Sequence, residues 1–246
     1  MSKNIEVLLR AKEATALFWS KSVPQETPEV KRPLVPTEPI GRSGEAELVQ
    51  RVFLVPAEDM PRVVAFSAVG QADGAGEICV RTGQFLADQT GSTVCVVDGD
   101  FHSPSLHKYL DVENSPGLTD ALFESRPIRE FVHSSPKTNL FVLPGGSRCG
   151  ELQAAWNSER LRSRIAELRR EFSYVLVYSP QLSHQAGGML LGQIADGVIL
   201  ILESMVTRRE TARTAKENLA AANVKILGAV LNNHAFSIPE NLYKRL

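Results

Sequence analysis

The stretch VVAFSAVGQADGAGEICVRTGQFLA, residues 63–87, decides the fold class of this chain. It places an apolar strand before a glycine-bearing loop and a helix, the order found where a helix N-terminus receives a phosphate group. The stretch nevertheless contains no lysine. It therefore predicts a nucleotide-binding architecture whose phosphate-binding loop lacks its usual positive charge.

Strands and helices alternate outward from this stretch. The strand cores are continuous Val, Ile and Leu runs, a pattern typical of parallel strands buried on both faces. Their alternation with helices predicts an α/β fold, a doubly wound and mostly parallel sheet of the P-loop NTPase type. The predicted strands cover 61–69, 92–100, 138–146, 174–180, 197–204 and 224–233, with helices over 76–88, 158–172 and 207–222.

The chain is predicted to have two parts. Residues 1–44 are an amphipathic helix over 4–20 followed by a proline-rich linker, because five prolines and several charges fall within 23–44. Residues 45–246 are the P-loop-like α/β domain, opened by a short helix over 45–54. The helix over 207–222 is expected to begin with a capping box from Thr207 to Glu210.

Composition limits the classes of function. The formal net charge of −1 argues against binding nucleic acid through bulk charge. No apolar run approaches the roughly 18 residues that span a bilayer, and the N-terminus lacks a signal-peptide core. We therefore expect a cytoplasmic protein, which a partner could recruit to the inner face of the membrane.

Polar and glycine residues follow the predicted strands at their carboxyl ends. Ligands of open parallel sheets bind beyond those ends, so residues distant in sequence can converge there. Asp98 and Asp100 are the candidate catalytic pair, and Asp98 is also the candidate metal ligand. The candidate cofactor-binding residues are Gly70, Asp73, Gly74, Ala75, Gly76, Glu77 and Asn232.

Five blocks in order resemble the bacterial tyrosine kinases, which are deviant Walker-A P-loop ATPases associated with capsule and exopolysaccharide export. The longest is VVDGDFHSPSLHKYLDVENSPGLTDAL at 96–122, and the resemblance covers 45 to about 233. It implies ATP and Mg²⁺ as cofactors and a polysaccharide co-polymerase or export membrane protein as partner. It also implies that Asp98 and Asp100 serve magnesium and catalysis, and that Asn232 faces adenine.

The chain departs from that family where phosphoryl transfer needs charge. The family loop reads G-E-G-K-[ST], but Ala75 or Gly76 takes the lysine position and Gly76 or Glu77 takes the hydroxyl position. Tyr178 takes the place of the Walker-B aspartate. One such electrostatic group is worth about 3–4 kcal/mol in the transition state, so losing three predicts little turnover.

Two further departures concern the ends of the family pattern. The C-terminal tail offers one tyrosine, Tyr243, where the family has a cluster. The E-x-x-R-x-x-R helix used by the family for subunit contacts is broken, with Glu47 and Arg51 at the wrong spacing, so a homo-oligomer is an open alternative.

The sequence thus predicts a degenerate member of the family, a pseudokinase with weak or absent ATP and Mg²⁺ binding. Its role would be regulatory or scaffolding in exopolysaccharide biosynthesis and export. One alternative is an active tyrosine autokinase in which Arg81 or a neighbouring subunit's arginine replaces the lysine. The other is a partitioning- or positioning-type ATPase.

Overall fold

A computed structural model describes residues 6–8, 43–54, 60–70, 74–134, 138–147, 158–179 and 186–232. These residues form one eight-stranded sheet with the strand order β1-β8-β7-β2-β6-β3-β5-β4. The six central strands are parallel to one another, whereas β1 and β4 pair antiparallel at the two edges. The predicted α/β, mostly parallel P-loop-type sheet is confirmed. The strands are Glu6–Leu8 (β1), Val63–Ala68 (β2), Val94–Asp98 (β3), His133–Ser134 (β4), Leu140–Leu143 (β5), Tyr174–Ser179 (β6), Gly197–Glu203 (β7) and Ile226–Asn232 (β8).

Helices cover both faces of this sheet. One face packs on α1 and α2, and the other packs on α4 to α7. The chain of α1 continues as a π-helical turn over Gln50–Leu54, and a 3₁₀ turn spans Ile128–Phe131. The α-helices are Ser43–Val49 (α1), Ala75–Thr90 (α2), Leu106–Leu110 (α3), Leu118–Phe123 (α4), Ser158–Glu171 (α5), Ala186–Ile194 (α6) and Arg209–Ala221 (α7).

Continuous apolar runs explain the central strands. Every residue of β2 and β3 is buried, as expected where helices cover both faces of a parallel sheet. Helix α2, in contrast, packs only one of its faces on the sheet, through Ile78, Cys79 and Leu86. The paired strands and this helix bring the loop after β2 and the loop after β3 to the same carboxyl edge.

Two local predictions are wrong. Residues 6–8 form an edge strand paired with Ala229–Leu231 of β8, not part of a helix over 4–20, because the unpaired backbone groups of an open sheet edge can bind a short extended segment. Helix α7 begins at Arg209 with Arg208 as its N-cap. The predicted capping hydroxyl of Thr207 instead accepts a hydrogen bond from the Glu203 amide at 2.8 Å.

The remaining residues of the predicted N-terminal helix and linker, 1–5 and 9–42, lie outside the described part, as does Tyr243. Within the described residues, no helix combines the length and apolar character needed to cross a membrane.

Candidate functional site

The predicted phosphate loop joins the end of β2 to the start of α2. Gly70 and Gly74 have left-handed backbones, with φ of 70° and 82°, a region that glycine enters without steric cost. Gly74 is the N-cap of α2, where the helix has no side-chain cap. The loop therefore has the backbone shape that presents amide groups beyond the sheet.

Residues at the start of α3 lie next to Gly76 in the first turn of α2. A Cβ atom at Gly76 would lie 3.1 Å from the Leu106 side chain, 3.4 Å from the Ser105 hydroxyl and 3.5 Å from the Tyr109 ring. These residues belong to the turn and first residues of α3. A side chain at Gly76, one of the positions where the related loop carries its lysine or hydroxyl, would thus be directed at these three side chains.

The charged side chain in the first turn of α2 is a glutamate, and it is paired with an arginine one turn along the same helix. Glu77 lies in the first turn of α2 and pairs with Arg81 across 3.7 Å. Arg81 also pairs with Glu45 across 2.6 Å, and the Glu45 side chain is 7% exposed. Two carboxylates, Glu45 and Glu77, therefore already neutralise the Arg81 guanidinium.

Helix α1 matches the family's E-x-x-R-x-x-R motif through a different glutamate from the one predicted. Glu45 and Arg51, not Glu47 and Arg51, have the spacing of the outer charges in E-x-x-R-x-x-R, with Leu48 between them. Leu48 is buried, which explains how an apolar residue took the middle position. Arg51 pairs with Glu47 across 2.5 Å on the surface.

Asp98, the candidate base and metal ligand, is a fully buried carboxylate. One of its oxygens accepts hydrogen bonds from the amides of Ser105 and Leu106, at 2.7 and 2.9 Å. The other accepts from the Asp100 amide at 3.1 Å. Burial raises the pKa of Asp98 to about 6, although these three amide bonds act to lower it. The carboxylate thus fastens the end of β3 to the start of α3.

Asp100 and Tyr178 lie on either side of this carboxylate. Asp100 accepts hydrogen bonds from the amides of His102 and Ser103, at 3.0 and 3.1 Å, which is an Asx-type turn. Tyr178 pairs with Asp98 in the parallel register. Burial, followed by the charges of Asp100 and Asp98, raises the pKa of the Tyr178 phenol.

The Asn232 side chain lies next to Gly74 of the phosphate loop. It ends β8, is buried, and its side-chain nitrogen would lie 3.0 Å from a Cβ at Gly74. Its carbonyl accepts a hydrogen bond from the Ser204 amide at 2.9 Å. The predicted convergence of the last strand with the loop is therefore present, at the cost of space for any side chain at Gly74.

A second buried carboxylate at this edge was missed by sequence reasoning. Asp120 accepts hydrogen bonds from the Gly117 amide at 2.9 Å, the Ser147 amide at 3.1 Å and the Ser147 hydroxyl at 2.7 Å. A Cβ at Gly117 would overlap the Pro144 carbonyl oxygen and the Gly146 amide nitrogen. The Pro-Gly at 116–117 and the Pro-Gly-Gly at 144–146 were the available signals for this contact.

The predicted site residues separate into two groups. The loop group comes together beside Asn232, and Gly76 and Asp98 share contacts with the 105–109 segment. Asp73 lies outside the described residues. Across the described ranges, no three His, Cys, Asp or Glu side chains are grouped so that they could hold a metal ion.

Comparison with known proteins gives relatives that include tyrosine-protein kinases and a succinoglycan transport protein. The chain is 30% identical over 149 residues to the tyrosine-protein kinase YwqD of Bacillus subtilis, covering 61% of this chain and 63% of YwqD. It is 24% identical over 181 residues to the tyrosine-protein kinase CpsD of Streptococcus pneumoniae, covering 73% and 79%. A third relative is the succinoglycan biosynthesis transport protein ExoP of Rhizobium meliloti, 24% identical over 70% of this chain and 22% of ExoP. No family model matches.

Solved structures show the same fold. The chimerical protein CapA2B2 superposes with a TM-score of 0.73 at 19% identity, over 82% of this chain and 88% of that one. The kinase domain of the Escherichia coli tyrosine kinase ETK superposes with a TM-score of 0.70 at 17% identity, over 81% and 80%. The septum site-determining protein MinD of Pyrococcus horikoshii, in complex with Mg-ADP, gives 0.56 at 22% identity, over 68% of each chain.

These findings confirm the resemblance predicted from the sequence. The homologues of this chain are named bacterial tyrosine-protein kinases, and its structural neighbours include bacterial tyrosine kinase domains. The chain spans 63% of the length of YwqD.

Proposed function

We propose that this chain is a non-catalytic relative of the bacterial tyrosine kinases, with weak or absent ATP turnover. It would act as a regulatory or scaffolding partner of a membrane protein that exports exopolysaccharide. Relatives named for tyrosine kinase activity and for succinoglycan transport support the biological setting. Its own residues support the loss of catalysis.

The state of Asp98 carries the proposal. A carboxylate that serves Mg²⁺ or accepts a proton needs a lone pair directed at open space. Both oxygens of Asp98 instead accept hydrogen bonds from backbone amides, one at Oδ1 and two at Oδ2, and the carboxylate does not reach open space because the residue is fully buried. Withdrawing it would leave those amides without partners, which costs about 1–3 kcal/mol for each buried group. Asp98 is therefore a structural residue in this proposal.

The surrounding residues do not suit a magnesium triphosphate. Tyr178 replaces a carboxylate with a phenol that carries no charge at neutral pH. The Glu77 carboxylate lies where a helix N-terminus would favour phosphate. A larger side chain at Gly76, such as the lysine of the related loop, would meet Leu106, Ser105 and Tyr109. Any nucleotide that binds would have to rely on loop amides alone.

The active-kinase alternative loses its internal cation. Arg81 was the candidate to replace the missing lysine, but Glu45 and Glu77 already hold its guanidinium. Releasing it would expose the buried Glu45 carboxylate to an apolar setting without its partner, a costly change. An arginine from a neighbouring subunit is the remaining source of charge for that alternative.

Incubation of the purified full chain with radiolabelled ATP and Mg²⁺ tests the proposal. The expected result is no label on the protein and no phosphate release above the level of a heat-denatured control. Robust labelling that disappears in Asp98→Asn would overturn it. Tyr243→Phe is the matched variant, because it removes the one tyrosine of the C-terminal tail and leaves every predicted site residue unchanged.

A second arm tests scaffolding separately. Binding of the chain to the cytoplasmic segments of a polysaccharide co-polymerase, measured by calorimetry, should be unaffected by the presence of Mg-ATP. Binding that requires ATP would contradict the nucleotide-independent role.

A further inference from the structure

The turn between β7 and α7 exposes two apolar side chains at the carboxyl edge of the sheet. Met205 is 101% exposed and Val206 is 51% exposed. Full exposure means that Met205 projects beyond its neighbours instead of lining a groove. Arg208 and Arg209 follow on the surface, and these four residues are called here the β7–α7 tip.

Hydrogen bonds hold the backbone on both sides of the tip. The Ser204 amide donates to the Asn232 carbonyl at 2.9 Å, and the Thr207 amide donates to the Glu203 carbonyl at 2.9 Å. The Thr207 hydroxyl accepts from the Glu203 amide at 2.8 Å. Its two apolar side chains are therefore held outward by the fold.

Met205 occupies a position that favours glycine. Its φ of 64° lies in the left-handed region, which costs a bulky side chain about 1 kcal/mol. A large apolar residue thus sits in a strained backbone and is also in full contact with water. Neither folding nor solubility gains from that combination, so a contact with another surface is the remaining benefit.

Arg208, Arg209 and Arg213 outnumber the two acidic residues, Glu203 and Glu210, that lie beside these two side chains. Arg208 and Arg209 make no ion pair with any residue that the structure describes, and the same holds for Arg213 one turn along α7. Arginines in the first turn of a helix also oppose its dipole. Free guanidinium groups bind phosphate oxygens through paired N–H donors.

We propose that the β7–α7 tip docks directly on an anionic membrane surface, with Met205 and Val206 entering the interface and Arg208 and Arg209 contacting lipid phosphates. Unpaired arginines beside a projecting apolar turn complement a surface that is negatively charged outside and apolar beneath. Methionine is unbranched and adaptable, so it needs no shaped pocket. The contact is independent of nucleotide and turns the carboxyl edge of the sheet toward the bilayer.

Co-sedimentation of the full chain with vesicles tests this contact. Vesicles of phosphatidylcholine containing phosphatidylglycerol should bind the protein, and vesicles of phosphatidylcholine alone should not. Met205→Gly should weaken binding about fivefold by removing inserted apolar surface. Arg208→Glu combined with Arg209→Glu should weaken it at least about twentyfold, since each arginine near an anionic surface contributes about fivefold.

Matched variants separate docking from folding. Met205→Gly should unfold at the same or a higher temperature, because glycine relieves the left-handed strain. Met60→Ser and Arg170→Glu change an exposed methionine and an exposed arginine near the opposite edge, and they should leave binding unchanged. Absence of sedimentation with phosphatidylglycerol vesicles overturns the proposal. Sedimentation that Met205→Gly and the double arginine variant leave unchanged also overturns it.

Discussion

Asp98 and Asp120 are two buried aspartates at the same edge of the sheet, and one was predicted to be catalytic whereas the other was not noticed. Asp98 joins β3 to α3 through three amides. Asp120 joins the start of α4 to the loop after β5 through two amides and a hydroxyl. Each of the two carboxylates therefore links two neighbouring segments of the chain through hydrogen bonds.

A position at the carboxyl edge of the sheet does not by itself assign a role to a carboxylate. Strand-end aspartates are often ligands because the carboxyl edge of a parallel sheet is where ligands bind. The same edge is also where loops must be fastened, and ionised carboxylates accept strong hydrogen bonds from amides. In this chain backbone amides donate to both Asp98 and Asp120, and we propose on that ground that both carboxylates are structural.

Among the substitutions considered, Gly117→Ala beside Asp120 should lower the free energy of unfolding the most. In Gly117→Ala the new Cβ would overlap backbone atoms of Pro144 and Gly146, which have no rotamer to escape into. We expect a loss of at least about 3 kcal/mol in the free energy of unfolding, measured by urea denaturation.

Gly76→Ala is the matched change beside Asp98. Its Cβ meets side chains of Leu106, Ser105 and Tyr109 that can shift, and alanine favours a helix over glycine by about 1 kcal/mol. The net change should stay below about 1 kcal/mol. Equal costs for the two alanines would show that the two regions are packed alike.

The two aspartates can then be removed directly. Asp98→Ala leaves three donors without their acceptor. Asp120→Ala leaves three donors at 2.7 to 3.1 Å and the more distant Ser115 hydroxyl at 3.5 Å, so each variant should cost about 3 kcal/mol. Denaturant titration of both variants checks this equality. A near-neutral Asp98→Ala would mean that its amides find other partners and that its burial serves another purpose.

Stability against pH sharpens the difference between the variants of Asp98. Its pKa is about 6 in the folded chain against an ordinary 3.8, so its stabilising contribution is full below pH 3.8 and is lost as pH rises through about 6. Asparagine does not titrate. The stability advantage of wild type over Asp98→Asn should therefore shrink between about pH 4 and pH 7, by on the order of 2–3 kcal/mol.

Urea titrations of both proteins at the two pH values measure that change, and Tyr178→Phe, which keeps Asp98, should follow wild type. An advantage that stays constant or grows with pH would contradict the raised pKa.

The sequence was sufficient for the fold and insufficient for the site. Apolar runs identified the central strands to within a few residues, because burial on both faces leaves an unmistakable composition. The glycines at 70 and 74 marked the loop correctly. Sequence could not show that the amides of Ser105 and Leu106 turn back onto Asp98, since a hydrogen bond between residues seven and eight apart in a loop depends on the path of the backbone.

Arg81 illustrates the same limit. Its position in α2 was clear from the pattern, but the pairing with Glu45 depends on how α1 packs on α2. The missing middle arginine of α1 was visible as Leu48, yet the wrong glutamate was matched to Arg51. Long-range side-chain partners of this kind are set by packing between helices, which periodicity does not specify.

Arg81→Ala should have an intermediate effect. It leaves the Glu45 carboxylate, whose side chain is 7% exposed, without its cation, and we expect a loss of about 2 kcal/mol. The surface pair of Glu47 with Arg51 is the control, since Glu47→Ala should change stability by less than about 0.5 kcal/mol. Thermal unfolding of both variants measures the contrast, and equal shifts would contradict the burial argument.

Tyr178→Phe should have the smallest effect. The phenol lies beside Asp98 and Asp100 with its pKa raised by burial and by their charges, so it stays neutral and holds no ion. Removing its hydroxyl should alter the free energy of unfolding by less than about 1 kcal/mol. A larger loss in denaturant titration would assign Tyr178 a structural part in fastening Asp98.

Calorimetric titration with ATP, in the presence and absence of Mg²⁺, tests most directly whether Asp98 is a structural carboxylate. If it is, any heat of ATP binding should be the same with and without the metal, in wild type and in Asp98→Asn alike. Saturable binding that appears only with Mg²⁺ and disappears in Asp98→Asn would contradict the account.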